Sequence, residues 1–271
     1  MKFRILLFAF LLVAGLATPA LASGPIGTYY LTAGDTGMNW AVQGPNVVLQ
    51  HPQNCAPFCG LGGEYAIALD ASVRTLGNSP FIPGSEYTYG LVATGVKYAY
   101  PVNAHFYDGT QDGTHNYSVG MGTGRVFSFD TNWTNPQLLF SLNVFGYLGI
   151  TYDRFNNSLW LSKFSGGNRV ADYTLGGVLI SSFNTPFSSI SSLAMDVNGT
   201  LWMGSQGTLG TFYNYSTAGA FLGSVFYPAL ANQNTLGGEI AATATPEPGT
   251  LGLLATGIAG GFGLLRRLRR S

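Results

Sequence analysis

A repeat of about 43 residues constrains this chain more than any other feature. The stretch from Gly149 through Asp153 to Trp160 returns as Leu193 through Asp196 to Trp202. Each copy reads as a strand ending in Asp, a turn rich in Asn and Gly, and a second strand carrying an inward Trp. Further on, Val170 to Tyr173 with Gly177 matches Phe212 to Tyr215 with Gly219. That is a third strand, a tight turn at glycine, and a fourth strand running to Phe183 or Phe226. Four short strands cannot cover both of their own faces, so the copies must stack against one another.

Weaker copies lie upstream. Ala66 to Asp70 leads to Val73, and His105 to Asp108 leads to Tyr117, with Arg125 to Phe129 and Leu138 to Leu142 completing that unit. The strand-ending aspartates are therefore expected at Asp70, Asp108, Asp153 and Asp196. Asp70, Asp153 and Asp196 could form a ring of carboxylates around a channel, but a repeated position is better suited to capping its own turn. Leu236-Gly-Gly-Glu239 echoes Leu61-Gly-Gly-Glu64, about four periods earlier, which starts a fifth copy that has only its first strand. Three unassigned strands remain at the other end, over 28–32, 39–43 and 46–50. One C-terminal strand and three N-terminal strands would complete a blade and close a ring with no exposed inner edge. The expected fold is all-β, a five-bladed propeller over 24–243, with a six-bladed ring or a β-sandwich as fallback. The middle section resembles propeller-type repeats of exported bacterial proteins, without a named enzyme family.

Charge removes one class of function. Leaving out the two termini, six basic residues face eleven acidic ones, which is the wrong sign for a nucleic-acid binder. No catalytic elbow, zinc pair or phosphate loop is present, so no catalytic residue, metal ligand or cofactor is assigned. His51, His105 and His115 are the only histidines. His105 aligns with Ile in two other copies and is expected in the core or lining the channel. The oxygen-rich stretch Asp108 to Asn116 lacks the pattern of a calcium loop and reads as a turn. Trp160, Trp202, Tyr173 and Tyr215 recur in register, as core residues do. Trp40 and Trp133 do not, which makes them candidates, with the Tyr107 to Asn116 loop, for an exposed carbohydrate platform. A regular Thr array of the kind ice binding requires is absent. Cys55 and Cys59 suit a short-loop disulfide in an oxidising compartment. With His51 they would make a poor metal site.

The termini read as addresses. Lys2 and Arg4 precede an apolar run from Ile5 to Leu16, and Ala20 and Ala22 put small residues where a signal peptidase cuts, so 1–22 is expected to be a cleaved signal. At the other end Pro246-Glu247-Pro248 leads to an apolar stretch over 251–265 and then Arg266, Arg267, Arg269 and Arg270. The prolines stiffen the stem, the apolar run suits a helix of about 15 residues, and the arginines would hold its far end in the cytoplasm. This order over 244–271 resembles the PEP-CTERM sorting signal. The same tail is also classed as the C-terminus of ice-binding proteins, a description of the tail alone. The resemblance implies an exosortase-type membrane protease acting near Pro246-Glu247-Pro248, in a Gram-negative bacterium that makes exopolysaccharide. The expected partners are that protease, signal peptidase, and exopolysaccharide in a biofilm matrix, with transient membrane association through the tail. The expected role is a non-catalytic cell-surface or matrix protein. A carbohydrate-binding propeller is the first alternative and a metal-dependent hydrolase or lyase the second.

Overall fold

The computed structural model describes residues 23–55, 62–101 and 104–241. The expected signal at 1–22, Cys59, the Pro246-Glu247-Pro248 motif, the 251–265 helix and the four terminal arginines all lie outside the described residues. Twenty short strands form five antiparallel sheets of four. Strands β1 (Tyr29–Ala33), β2 (Met38–Gln43) and β3 (Asn46–Pro52) begin blade 1. Blade 2 holds β4 (Glu64–Leu69), β5 (Val73–Gly77), β6 (Gly84–Tyr87) and β7 (Ala93–Tyr98). Blade 3 holds β8 (Phe106–Gln111), β9 (His115–Gly120), β10 (Arg125–Asp130) and β11 (Gln137–Ser141). Blade 4 holds β12 (Tyr147–Asp153), β13 (Ser158–Lys163), β14 (Arg169–Thr174) and β15 (Leu179–Asn184). Blade 5 holds β16 (Ile190–Met195), β17 (Leu201–Ser205), β18 (Thr211–Tyr215) and β19 (Phe221–Phe226), followed by a 3₁₀ turn at Pro228–Leu230. The last strand, β20 (Thr235–Ile240), pairs antiparallel with β1 and completes blade 1.

The core lies between the blades. Each of the five boundaries has its own hydrophobic cluster, such as Trp160, Val170, Leu193 and Met203 between blades 4 and 5, or Tyr29, Val42, Trp202 and Phe212 between blades 5 and 1. Full burial of each such side chain contributes about 2 kcal/mol, so stacking rather than any single sheet holds the ring. The repeated turn glycines belong to the same packing. Gly177 (φ 81°) and Gly219 (φ 83°) each lie under a phenylalanine of the preceding blade, Phe140 and Phe183, and a Cβ there would approach that side chain to 2.6 Å. Only glycine combines the left-handed backbone with that contact.

Two details of register differ from the sequence reading. Asp108 does not end its strand; it lies inside β8, and Asp112 takes the turn position. Also, Glu64 opens β4 opposite Gly77, whereas Glu239 lies near the far end of β20 opposite Tyr30. The two Leu-Gly-Gly-Glu stretches are thus four residues out of step, although the ring closure inferred from them is correct.

Asp108 plugs the axis, where the first strands of the blades converge. It is fully buried. Its Oδ1 accepts N–H from Gly109 at 2.9 Å and from Gly238 at 2.8 Å, and its Oδ2 from Ile150 at 3.0 Å and from Leu193 at 3.1 Å. One side chain therefore bonds the inner strands of blades 3, 1, 4 and 5. Burial pushes this carboxyl well above the ordinary range, and the four amides oppose that shift. The geometry decides the protonation state: each oxygen already accepts two donors, which fills an ionised carboxylate and leaves no place for a proton.

Asp108→Asn should therefore turn an amide NH₂ toward two N–H groups and lower stability by roughly 3 kcal/mol or more. Urea denaturation checks this, and an unchanged midpoint would remove Asp108 from its place as the latch. Ending the chain after Gln233 should abolish the cooperative transition altogether, because β1 loses its partner and Asp108 loses Gly238; a sharp thermal transition in that truncation would contradict it.

Candidate binding clefts between the blades

The strand-ending aspartates cap their turns. Oδ1 of Asp70, Asp153 and Asp196 accepts N–H from Ser72 (3.1 Å), Phe155 (2.8 Å) and Val197 (2.7 Å). Two of them also accept an indole N–H, Asp153 from Trp160 at 3.1 Å and Asp196 from Trp202 at 3.2 Å. That bond satisfies the one polar atom of a ring that is otherwise core. Asp196 further accepts Ile26 and Gly27 N–H at 2.7 and 3.0 Å, which fastens the approach to β1 onto blade 5.

Other residues that the sequence singled out lie elsewhere than expected. Trp40 and Trp133 are 4% and 0% exposed, so neither offers a platform. Trp133 takes a left-handed φ of 62° just after β10, which folds its ring inward onto Phe129 and Gly109. His105 is exposed ahead of β8, its Nδ1 3.0 Å from the Asn78 carbonyl, rather than in the core or channel. The alignment misled because Asp112 rather than Asp108 holds the turn position, which sets His105 four residues out of register with those Ile residues. His51 ends up on β3 and His115 on β9. Asp112 Oδ1 accepts the N–H groups of Thr114 and His115, both at 2.7 Å, so this loop is closed by its own side chain. Cys55 is buried and is not a free thiol. Among the described residues no group of three or more His, Cys, Asp and Glu is placed to hold a metal ion.

Glu239 is the second carboxyl near the axis. Burial pushes it well above its ordinary range; the Thr110 hydroxyl opposes this, and the charge on Asp108 adds to it. Its Oε2 has no partner. Asp108 and Glu239 thus form an unequal pair, one saturated by backbone donors and one with an unmet oxygen. Neither lines the two clefts below.

Those clefts occupy matching places on the face formed by the first-to-second and third-to-fourth strand turns. One, of about 400 Å³, lies between blades 2 and 3 and is lined by Arg74, Glu86, Lys97, Tyr98 and Thr131 among others. Its counterpart between blades 4 and 5, about 470 Å³, is lined by Asp153, Phe155, Asn156, Trp160, Asp172 and Ile180 among others. The ladders put them in register. Arg74 stands opposite Ala68 and Glu86 in blade 2, and Trp160 stands opposite Thr151 and Asp172 in blade 4.

The electrostatics of the two differ. In blade 2 the guanidinium of Arg74 bridges Asp70 at 2.5 Å and Glu86 at 3.3 Å, and donates to the Thr131 carbonyl of blade 3 at 2.9 Å. Burial raises Glu86, but donors from Tyr98, Thr94 and Arg74 outweigh it and hold the carboxyl below its ordinary value. In blade 4, burial raises Asp172 and nearby Asp153 adds to the rise, while the polar groups of Ser158 and Asn156 act against it. Asp172 was not singled out in the sequence. The available signal was the recurring third strand, Val170-Ala-Asp172-Tyr173 against Phe212-Tyr-Asn214-Tyr215, in which the polar residue faces the Trp.

Comparison with known proteins adds a motif and a fold. The PEP-CTERM protein-sorting motif matches residues 244–270. No curated protein matches the chain in sequence. Among solved structures, a chain of a nidogen/laminin complex superposes with a TM-score of 0.52 at 8% identity, covering 80% of this chain and 99% of that one. A structural genomics protein of unknown function from Bacteroides thetaiotaomicron gives 0.51 at 12%, over 70% and 56%. Virginiamycin B lyase from Staphylococcus aureus gives 0.46 at 17%, over 75% and 71%. The first two share the fold and nothing further, and the third is too distant to bear on the argument. The chain is a five-bladed β-propeller followed by a PEP-CTERM sorting motif.

Proposed function

We propose that this propeller is a non-catalytic surface or matrix protein. The sorting motif implies export, membrane anchoring of the tail before processing, and handling by an exosortase-type membrane protease. The observation that carries the non-catalytic reading is the axial plug. A hydrolase or lyase working from the channel needs groups free to meet a substrate, and the Asp108 carboxylate is saturated by four backbone amides. The strand-ending aspartates are likewise committed to their turns. After release of the tail, the rigid ring would remain as a compact unit at the cell surface or in exopolysaccharide.

A glycan-binding role is the second reading. With Trp40 and Trp133 buried, it would depend on the clefts between the blades rather than on an aromatic platform.

Expression in a host with the sorting protease tests the proposal through fractionation, intact mass and metal content. The expected product is metal-free, found at the surface or in the matrix, and lacks both the first 22 residues and the segment beyond Pro248. Deleting 244–271 should leave the ring folded but misdirect it. Unchanged location after that deletion would refute the sorting role, and stoichiometric metal would favour a catalytic channel instead.

A further inference from the structure

We infer that the cleft between blades 4 and 5 is a receptor for an organic cation, a protonated amine or a guanidinium group, that occupies the place Arg74 fills in blade 2. The molecule supplies its own comparison. Asp70 and Asp153 both end the first strand of their blades, and Glu86 and Asp172 both sit on the third, opposite the second-strand residue Arg74 or Trp160. Blade 2 places a guanidinium between its two acids. Blade 4 keeps two acids and puts an indole where the cation was. The single N–H of Trp160 goes to Asp153 and leaves Asp172 without a cationic partner.

Asp172 is left incomplete. It is 1% exposed. Its Oδ2 accepts Asn156 Nδ2 at 3.0 Å, while Oδ1 has no hydrogen-bond partner. Ser158 and the Tyr173 N–H are close enough to act on Asp172, but neither completes a hydrogen bond to Oδ1, and the Ser158 hydroxyl donates to Asn156 Oδ1. A buried carboxylate oxygen without a donor is an expensive arrangement, and a charged N–H is the group that best relieves it.

The surroundings suit a cation on an apolar stem. No Lys or Arg lines the cleft. The neighbouring Arg154 is turned away, with its guanidinium 5.2 Å above the Phe155 ring and Nη2 donating to the Asp196 carbonyl at 3.1 Å. Phe155 and Ile180, 63% and 48% exposed, provide an apolar rim. Thr217 belongs to the turn of blade 5 that corresponds to the one presenting the Thr131 carbonyl to Arg74. This inference stands on the blade geometry and does not depend on the matrix reading.

The test is titration of the exported protein with ethylguanidinium, ethylammonium, glucosamine, and the neutral controls ethylurea and N-acetylglucosamine, with the Trp160 indole N–H followed by NMR. The expected result is a saturable shift with a dissociation constant on the order of millimolar for one or more of the cations, weakened by added salt, with the neutral molecules inert. The tighter cation then identifies the source, an amino sugar or an arginine-like group. Asp172→Asn should weaken binding at least about tenfold, a loss of ~1.4 kcal/mol, while the other indole resonances keep their positions as proof of folding. If Asp172→Asn fails to fold, Asn156→Ala provides a milder perturbation and should still change the affinity. Absence of any cation-dependent shift, equal response to ethylurea, or unaltered binding in both variants would overturn the inference.

Discussion

Four amide hydrogens from four different blades converge on one carboxylate, and the ring is organised around that meeting. Inner strands of a propeller bring their backbone donors close to the axis, where water cannot satisfy them. Asp108 supplies the missing acceptor from within. The equivalent positions in the other blades are Ala66, Gly149, Ser192 and Gly237, all small. One acidic side chain fits at the neck because the other four blades leave room for it. A Cβ on Gly149 would come within 3.5 Å of the Asp108 carboxylate, and one on Gly237 would strike the Tyr65 carbonyl. The five-fold repeat is thus broken at one position in a way the rest accommodates.

The architecture was legible in the sequence because it rests on periodic features. Trp160 with Trp202, Tyr173 with Tyr215, and Gly177 with Gly219 each do the same job in successive blades, and repetition reveals such jobs. The closing blade was legible from the count of strands left over at each end. What repetition could not reveal were the departures from it. Asp108 reads as a strand-ending aspartate in the sequence, since Phe-Tyr-Asp108 looks like Ala-Met-Asp196 until the register of β8 is known. Trp133 looked exposed because it matched nothing, yet a left-handed backbone turns it into the core. Asp172 was hidden for the opposite reason, as a member of a well-matched strand.

Comparison of one blade with another carries information that comparison with distant structures does not. The two solved structures named above with a TM-score above 0.5 are 8% and 12% identical, too far to transfer a site. Blades 2 and 4, in contrast, share strand register, turn positions and a pair of acids. At the second-strand position between those acids one has Arg74 and the other Trp160, and that difference decides whether the neighbouring carboxylate is matched from within. Away from the axis, where Glu239 also has an unmet oxygen, the other described buried acids are provided for. Glu64, for example, accepts hydroxyls from Thr75, Ser85 and Tyr87. The unmet oxygen on Asp172 therefore sets it apart from the other described buried acids away from the axis.

The pairing of β20 with β1 also sets an order of events. Blade 1 lacks its innermost strand until residue 240 is available, and residues 244–270 that follow carry the sorting motif. A chain threaded across a membrane from its N-terminus can stack blades 2 to 5 as they emerge, while β1, β2 and β3 wait with an open edge. The ring closes only once residue 240 has crossed, and the motif at 244–270 follows within a few residues. Completion of the fold and presentation of the tail are then one moment in the life of the protein, and a chain cut short before β20 would lose its closing strand and its address together.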